Sequence, residues 1–471
     1  MSEEADRLGP SADGATLPGL AEASPAMAPT AESDESAAPW AKRDAKHLLR
    51  LREANRAQMV WGRIDLDAQL PEDHTARAIW AVVQRLDLSA LYEQIQARGA
   101  VAGASAIDPK ILLTLWIYAT SEGEGSAREI WRLTQVHAAY QWICGGVDVG
   151  YHTLSDFRSQ QSEVIDALIT QVLAVLMEQQ LVDLHRTAQD GTRVRASAGA
   201  ASFRRGMTLQ KLIEQAREHL EAVTREASDP EISARRAAAR KRGAKQRLQR
   251  LEEAMAQIPQ VVQVKQRQGK DTEPRVSSTD PDARVMKMGD GGFRPAFNVQ
   301  LATTTDGARV IVGVEVTNSG SDANLSTPML EKIEQRTGVR PDEHLVDGGY
   351  AQHDAIDKAA DMDVVLYAPV PKPRKPKSSE GSENPPVVEP DPFQPHPSDT
   401  EAVAEWRKRM GTDDAKQIYK QRAATAETVN ADAKAHRGLN HFFVRGLHKV
   451  LGATSLFALT YDILRLIALG G

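Results

Sequence analysis

Cysteine is almost absent from this chain. Cys144 is the only one among 471 residues, which excludes a disulfide framework and any cysteine-based zinc site, and places the protein in a reducing, cytoplasmic setting. Aromatic residues make up only 5% of the sequence, so the core has to be aliphatic. Net positive charge is lacking too. The formal charge is −6, which argues against a uniformly basic surface and leaves any work on polyanions to local patches. No phosphate-cradling loop surrounds Gly291-Gly292 or Gly348-Gly349, which read as turns. The N-terminus has no basic start followed by a continuous apolar stretch, so no signal peptide is legible, and residues 1–40 read as a disordered tail. The longest apolar run, residues 450–469, carries Asp462 and Arg465 in a helical pattern and reads as a packing helix rather than a membrane span.

What is present divides the chain in two. Residues 41–181 show helical periodicity throughout, punctuated by Pro109 near a helix start, Ser126 as an N-cap and the Gly145-Gly146 pair. Several short helices in series predict an all-α N-terminal domain, a class that includes helix-turn-helix DNA readers. From 182 the character changes. Runs around residues 181–197, 293–319, 343–350 and 362–370 are rich in β-branched residues and bounded by Gly, Asp and Asn, with a hairpin turn at Thr304–Arg309. The order of strand, hairpin, helix, strand, helix, strand, helix predicts an α/β domain, a mixed sheet covered by helices, over 182–471. Two insertions interrupt it. Residues 207–268 form a charged helical pair, with eight Arg or Lys among the sixteen residues from Arg235 to Arg250. Residues 371–398 are too proline-rich to pack and read as a flexible linker.

Three acids stand out. Asp190 lies in a strand-like run before Gly191, either a functional strand carboxylate or an ordinary turn aspartate. Asp347 follows Leu345-Val346 and precedes two glycines, where a strand ends and a loop exposes its side chain. Glu427 lies on a polar helix with Tyr419, Arg422 and Lys434 spaced along one surface, which alone is compatible with a solvated face. Carboxylates brought together from distant segments suit hard cations such as Mg2+, two of which, roughly 4 Å apart, can clamp an in-line phosphoryl displacement. Asp280, Asp282 and Asp322 are rival carboxylates in polar loops. His436, His441 and His448 lack the tight spacing of zinc ligands.

Taken together, the helical region ending in YHTLSDFRSQ, the AQDGTRVRAS strand, the STDPDARVMK stretch leading into FNVQLATTTD, the LVDGGY strand end and the helix YKQRAATAETVNADAKAHRGLNHFFVRGLHKV resemble the DDE transposases of bacterial insertion sequences, in that family's order. The resemblance implies a ribonuclease H-like catalytic core of the cut-and-paste type. Asp190, Asp347 and Glu427 would be catalytic residues holding two Mg2+ ions, with Mn2+ able to substitute. Tyr419, Arg422 and Lys434 fall on the family's tyrosine, arginine and lysine signature and would meet DNA phosphates. Four residues separate Arg422 from Glu427, one more than the shortest form of that signature. Arg128, Arg132 and Arg158 of the helical region, and Arg240, Lys241, Arg242 and Lys245 of the basic insertion, are further candidate DNA contacts. The implied activity is strand cleavage at element ends and transfer of the freed 3′-hydroxyl to target DNA. The implied partners are double-stranded DNA, through terminal inverted repeats and target, and a second copy of the chain, with no membrane; the setting is the bacterial cytoplasm at the nucleoid. Two alternatives remain open: a ribonuclease H-like nuclease that cuts without joining, and a silent DNA-binding regulator.

Overall fold

A computed structural model of the chain describes residues 65–95, 105–226, 233–371 and 391–470, all within one unit, Ile64–Gly471. The expected tail at 1–40 and positions 372–390 of the expected linker lie outside the described residues. Seven helices come first: α1 (Thr75–Arg85), α2 (Ser89–Glu93), α3 (Pro109–Ser121), α4 (Ala127–Val136), α5 (Ala138–Cys144), α6 (Tyr151–Gln160) and α7 (Ser162–Glu178). Their boundaries follow local chemistry. Asp108 accepts from the Lys110 amide ahead of Pro109, Ser126 accepts from the Glu129 amide, and Gly145 closes α5 in the left-handed region.

The chain then enters β1 (Arg186–Arg195) and the short β2 (Phe203–Arg205). Next come the inserted helices α8 (Gly206–Glu226), α9 (Ala234–Ala256) and α10 (Ile258–Arg267), followed by β3 (Arg275–Ser277), β4 (Arg284–Lys287), β5 (Phe293–Thr304) and β6 (Ile311–Thr317). After these lie α11 (Ser326–Thr337), β7 (Glu343–Leu345), α12 (His353–Asp361), β8 (Val365–Tyr367), α13 (Glu401–Met410), α14 (Asp413–Arg422), a π-helical turn (Ala423–Glu427), α15 (Thr428–Ala435) and α16 (Leu447–Leu469). The fold is thus mixed helix and sheet. β1 is central: it pairs antiparallel with β5 and parallel with β7, which pairs parallel with β8. The far edge of β5 is shared by β4 and β6, both antiparallel, and β5–β6 is the hairpin expected from its turn. The two-stranded β2–β3 sheet and β4 were not expected; at three or four residues each they are too short to carry a period.

α16 joins the two halves. It packs on α7, α3 and α6 on one side and on β6 on the other, so one aliphatic core runs from Ile79, Leu113 and Leu173 through Leu459 and Ile463 into Val299, Val312 and Val314. By length and composition α16 alone among the described helices could cross a membrane, yet 67% of its apolar window is buried inside the protein. The inserted helices have a small core of their own, with Leu209, Ile213 and Ala216 against Leu251, Ala254 and Val276. Residues 391–398, the end of the expected linker, form a loop in which Phe393 packs against the core and the Pro392 carbonyl accepts a hydrogen bond from Arg407.

Candidate active site

Asp190 is in the middle of β1, opposite Leu301 of β5, and Gly191 continues the strand opposite Gln300. The pair is therefore not a turn. Gly191 is there because its neighbours crowd it: a Cβ would sit 2.8 Å from Asp322 Oδ1 and 3.0 Å from the Tyr350 hydroxyl. Strand alternation turns Ala188 and Asp190 to the face covered by α14, the π turn and α15.

On that face two side chains hold the Asp190 carboxylate. Arg422 Nη2 donates to Oδ1 at 2.7 Å and Asn430 Nδ2 donates to Oδ2 at 2.9 Å. The other terminal nitrogen of Arg422 donates to Glu427 Oε1, also at 2.7 Å, so one guanidinium bridges both acids. In an α-helix the neighbours on one face are three or four positions apart, whereas Arg422 and Glu427 are five apart. The π turn over Ala423–Glu427 supplies the i→i+5 geometry and absorbs the additional residue noted in the sequence. Burial raises the pKa of Asp190, against the opposing charge of Arg422 and the hydrogen bond from Asn430. Burial also works against the charge on Arg422, but Asp190, Tyr419, Asp347 and Glu427 outweigh it and raise its pKa.

Asp347 stands two residues past β7, where the strand has ended, and its side chain is exposed. Its Oδ1 accepts from the Gly348 amide at 2.6 Å and its carbonyl from the Tyr350 amide at 3.0 Å. β7 is fastened to β1 by a buried polar ladder. His344 Nδ1 meets Thr187 Oγ1 at 2.8 Å and its Nε2 meets Gln189 Oε1 at 3.1 Å, while Gln189 donates to Gln300 at 2.9 Å. Gln300 in turn accepts from the Tyr350 hydroxyl and donates to Asp322 at 2.9 Å. Burial pushes the His344 ring down to about 3, so it is neutral.

A divalent metal suits this donor set by chemistry. Carboxylate oxygens from distant segments face one cation, the Arg422 guanidinium, which pairs with both Asp190 and Glu427. Among the described residues no three of His, Cys, Asp or Glu come close enough together to hold a metal ion by themselves. The rival acids have other duties. Asp280 accepts from the Gly446 amide and Asp282 from the Leu447 amide at the start of α16, and Asp322 is held by Arg193, Asn298 and Gln300. Asn430 was missed by the sequence reading; its one signal is position, a single helical turn after Glu427.

Of the expected phosphate contacts, Tyr419 is half-buried in the fields of Asp347, Glu427 and Asp190, and its pKa is raised by burial. Lys434 is half-buried near Asp190 and Arg193, its pKa lowered by burial. Arg128 lies over Tyr151, 5.3 Å from the ring centre, and Arg132 pairs with Glu129; both are exposed. Arg158 does not fit the expected role. It is 6% exposed, donates to the Gly125 carbonyl and lies 4.3 Å over the Trp116 ring, an internal strut with no open surface to offer. Arg240 pairs with Glu226 at 2.8 Å, while Lys241, Arg242 and Lys245 line the exposed side of α9. A groove of about 930 Å³ brings the helical region and the insertion together, with Ser155 and Ser159 of α6, Gln249 and Arg250 of α9, and Arg445 and Lys449 at the start of α16. Ser197, two residues past the end of β1, also lines it, and its carbonyl accepts from Arg445.

Two family models match the chain. One, described as "Transposase DDE domain", covers residues 393–467 and so Tyr419, Arg422, Glu427 and Lys434. The other, described as "Transposase domain (DUF772)", covers residues 64–160, the first six helices. Together they support a DDE transposase of the insertion-sequence type. Asp190 and Asp347 lie between the two matches. No curated protein and no solved structure matches the chain.

Proposed function

We propose that the protein is the DNA transposase of an insertion sequence, which binds element ends, cleaves a strand and transfers the freed 3′-hydroxyl to target DNA. The observation that carries this reading is the meeting of Asp190 and Glu427 on one guanidinium 232 positions from Asp190, with Asp347 in the same field. The mixed sheet with acids on its central strand and at a neighbouring strand end supports a ribonuclease H-like core. Asp190, Asp347 and Glu427 would hold two Mg2+ ions, and Mn2+ would substitute. When bound, such ions supply the positive charge that favours the attacking and leaving oxygens of an in-line displacement.

The chain's own groups do the rest. Asn430 orients the Asp190 carboxylate, the ladder through His344 fixes β7 against β1 so that Asp347 is presented at a set height, and Tyr419 and Lys434 flank the acids where a phosphate backbone would lie. Basic α9 and the groove beside it give duplex DNA a salt-dependent footing, and the helical region, with Arg128 and Arg132 on its surface, reads the element end. Two DNA ends call for two copies of the chain. The test is labelled element-end DNA with Mg2+ and wild-type protein beside Asp190→Ala, Asp347→Ala and Glu427→Ala. Cleavage and joining by wild type, lost in each variant while DNA binding persists, is the expected result. Binding without cleavage by wild type would sink the proposal in favour of a silent regulator, and cleavage without joining would leave only a nuclease.

A further inference from the structure

The electrostatics of the site concentrate on Arg422. It is 8% exposed, its two terminal nitrogens are each 2.7 Å from a different carboxylate, and the charge of the third acid, Asp347, reaches it as well. Its bonding is incomplete. Nε is buried without a partner, and so is Oδ1 of neighbouring Asn430. An unsatisfied buried donor costs roughly 1–3 kcal/mol, so this bridge is held by two strong contacts and weakened by what surrounds them. It also spans a single irregular turn, with Arg422 just before the π turn and Glu427 its last residue. A divalent ion between Asp190 and Glu427 would find one oxygen of each already taken by the guanidinium and the second Asp190 oxygen by Asn430, and two cations sharing these acids at a few ångströms repel.

We propose that Arg422 is a resident counter-cation that holds Asp190 and Glu427 in the DNA-free protein, competes with the divalent ion for them, and is drawn away by a DNA phosphate to open the site to metal. The inference rests on reading the three acids as metal ligands. A phosphate is the right lure, because a planar guanidinium binds it with two parallel hydrogen bonds just as it now binds carboxylates. Linkage makes the effect mutual: DNA tightens metal binding by the same factor by which metal tightens DNA binding. The protein would thus carry little metal until DNA is seated.

The test is Mn2+ binding to the full chain, read from the loss of the free-ion electron paramagnetic resonance signal. It is run without DNA and with a duplex of the element end closed by a 3′-dideoxynucleotide, so that no chemistry intervenes. Arg422→Gln should bind Mn2+ about tenfold more tightly than wild type without DNA, within the usual range of coupling between sites, and Arg422→Gln with Asp190→Asn should lose that gain. Arg422→Lys, which keeps the charge but not the two-armed reach, should fall between. If Arg422→Gln does not fold, judged by its thermal melt, the wild type alone decides: DNA should raise its Mn2+ affinity by a similar factor. Equal Mn2+ affinity in wild type and Arg422→Gln, abolished by Asp190→Asn, would overturn the competition and leave the metal site standing. No Mn2+ binding by any protein, with or without DNA, would remove the metal site and this inference together.

Discussion

Asp190 sits on β1 and Asp347 just past the end of the neighbouring parallel strand β7, yet their surroundings are opposite. Asp190 is set into a long strand whose face is covered by α14 and α15, and both its oxygens are taken, one by Arg422 and one by Asn430. Asp347 lies past the end of a three-residue strand, exposed, with one backbone amide as its partner. The Asp190 carboxylate is tied down on both oxygens, and the Asp347 carboxylate is left open to solvent. The contrast teaches that a carboxylate can be positioned in two ways: by partners on its own oxygens, or by anchoring the strand beneath it, as the His344 ladder does for β7.

Four predictions sharpen or break that contrast. The largest effect is on activity: Asp190→Ala, Asp347→Ala and Glu427→Ala each lower strand cleavage by roughly 10³-fold or more, the scale of losing a group that stabilises developing charge, despite their unequal surroundings. A variant that keeps near-normal cleavage removes that acid from the site. Next is acid sensitivity. The folded pKa of His344, about 3, is below its ordinary value, so its neutral ring contributes stability that is complete above pH 6.5 and lost as pH falls from there toward 3. Denaturant melts across that window should show a fall that His344→Gln flattens; an unchanged slope in the variant would mean that another group controls it.

A smaller effect separates the two acids. Asp190→Ala strands a buried arginine and lowers stability by about 2 kcal/mol, discounted from a fully buried pair because Glu427 remains, while Asp347→Ala stays within about 0.5 kcal/mol. Equal losses in thermal melts would erase the distinction between tied and open. The cations follow the same rule on a finer scale. Lys241→Ala or Lys245→Ala on α9 leaves stability unchanged and lowers the salt slope of DNA binding by about 1 each, whereas Arg158→Ala, which removes the strut over Trp116, destabilises without changing that slope. A salt slope altered by Arg158→Ala would restore it as a DNA contact.

Much of the fold was legible because its signals are local. The alternation around β1, the Asp-Gly turn of the β5–β6 hairpin, Ser126 as a cap and the helices of residues 75–178 all depend on neighbours within a few positions. The identities of Asp190, Asp347 and Glu427 came from resemblance; their partners did not come at all. Nothing near Asp190 in sequence indicates that Arg422 and Asn430 hold it, and nothing near Arg158 indicates that it lies under the surface against Trp116. The extra residue between Arg422 and Glu427 was visible in the sequence, but the π turn that absorbs it was not. β2, β3 and β4 escaped notice because strands that short are defined by what they pair with.

The measurement that bears most directly on the account is anomalous scattering from Mn2+ in crystals of the protein bound to a 3′-dideoxy-ended duplex of its element end. A peak is expected within coordination distance of Asp190, Asp347 and Glu427, with Arg422 turned off the acids and onto phosphate. A peak elsewhere, or a DNA complex in which Arg422 still bridges Asp190 and Glu427 and no ion lies between them, would contradict it.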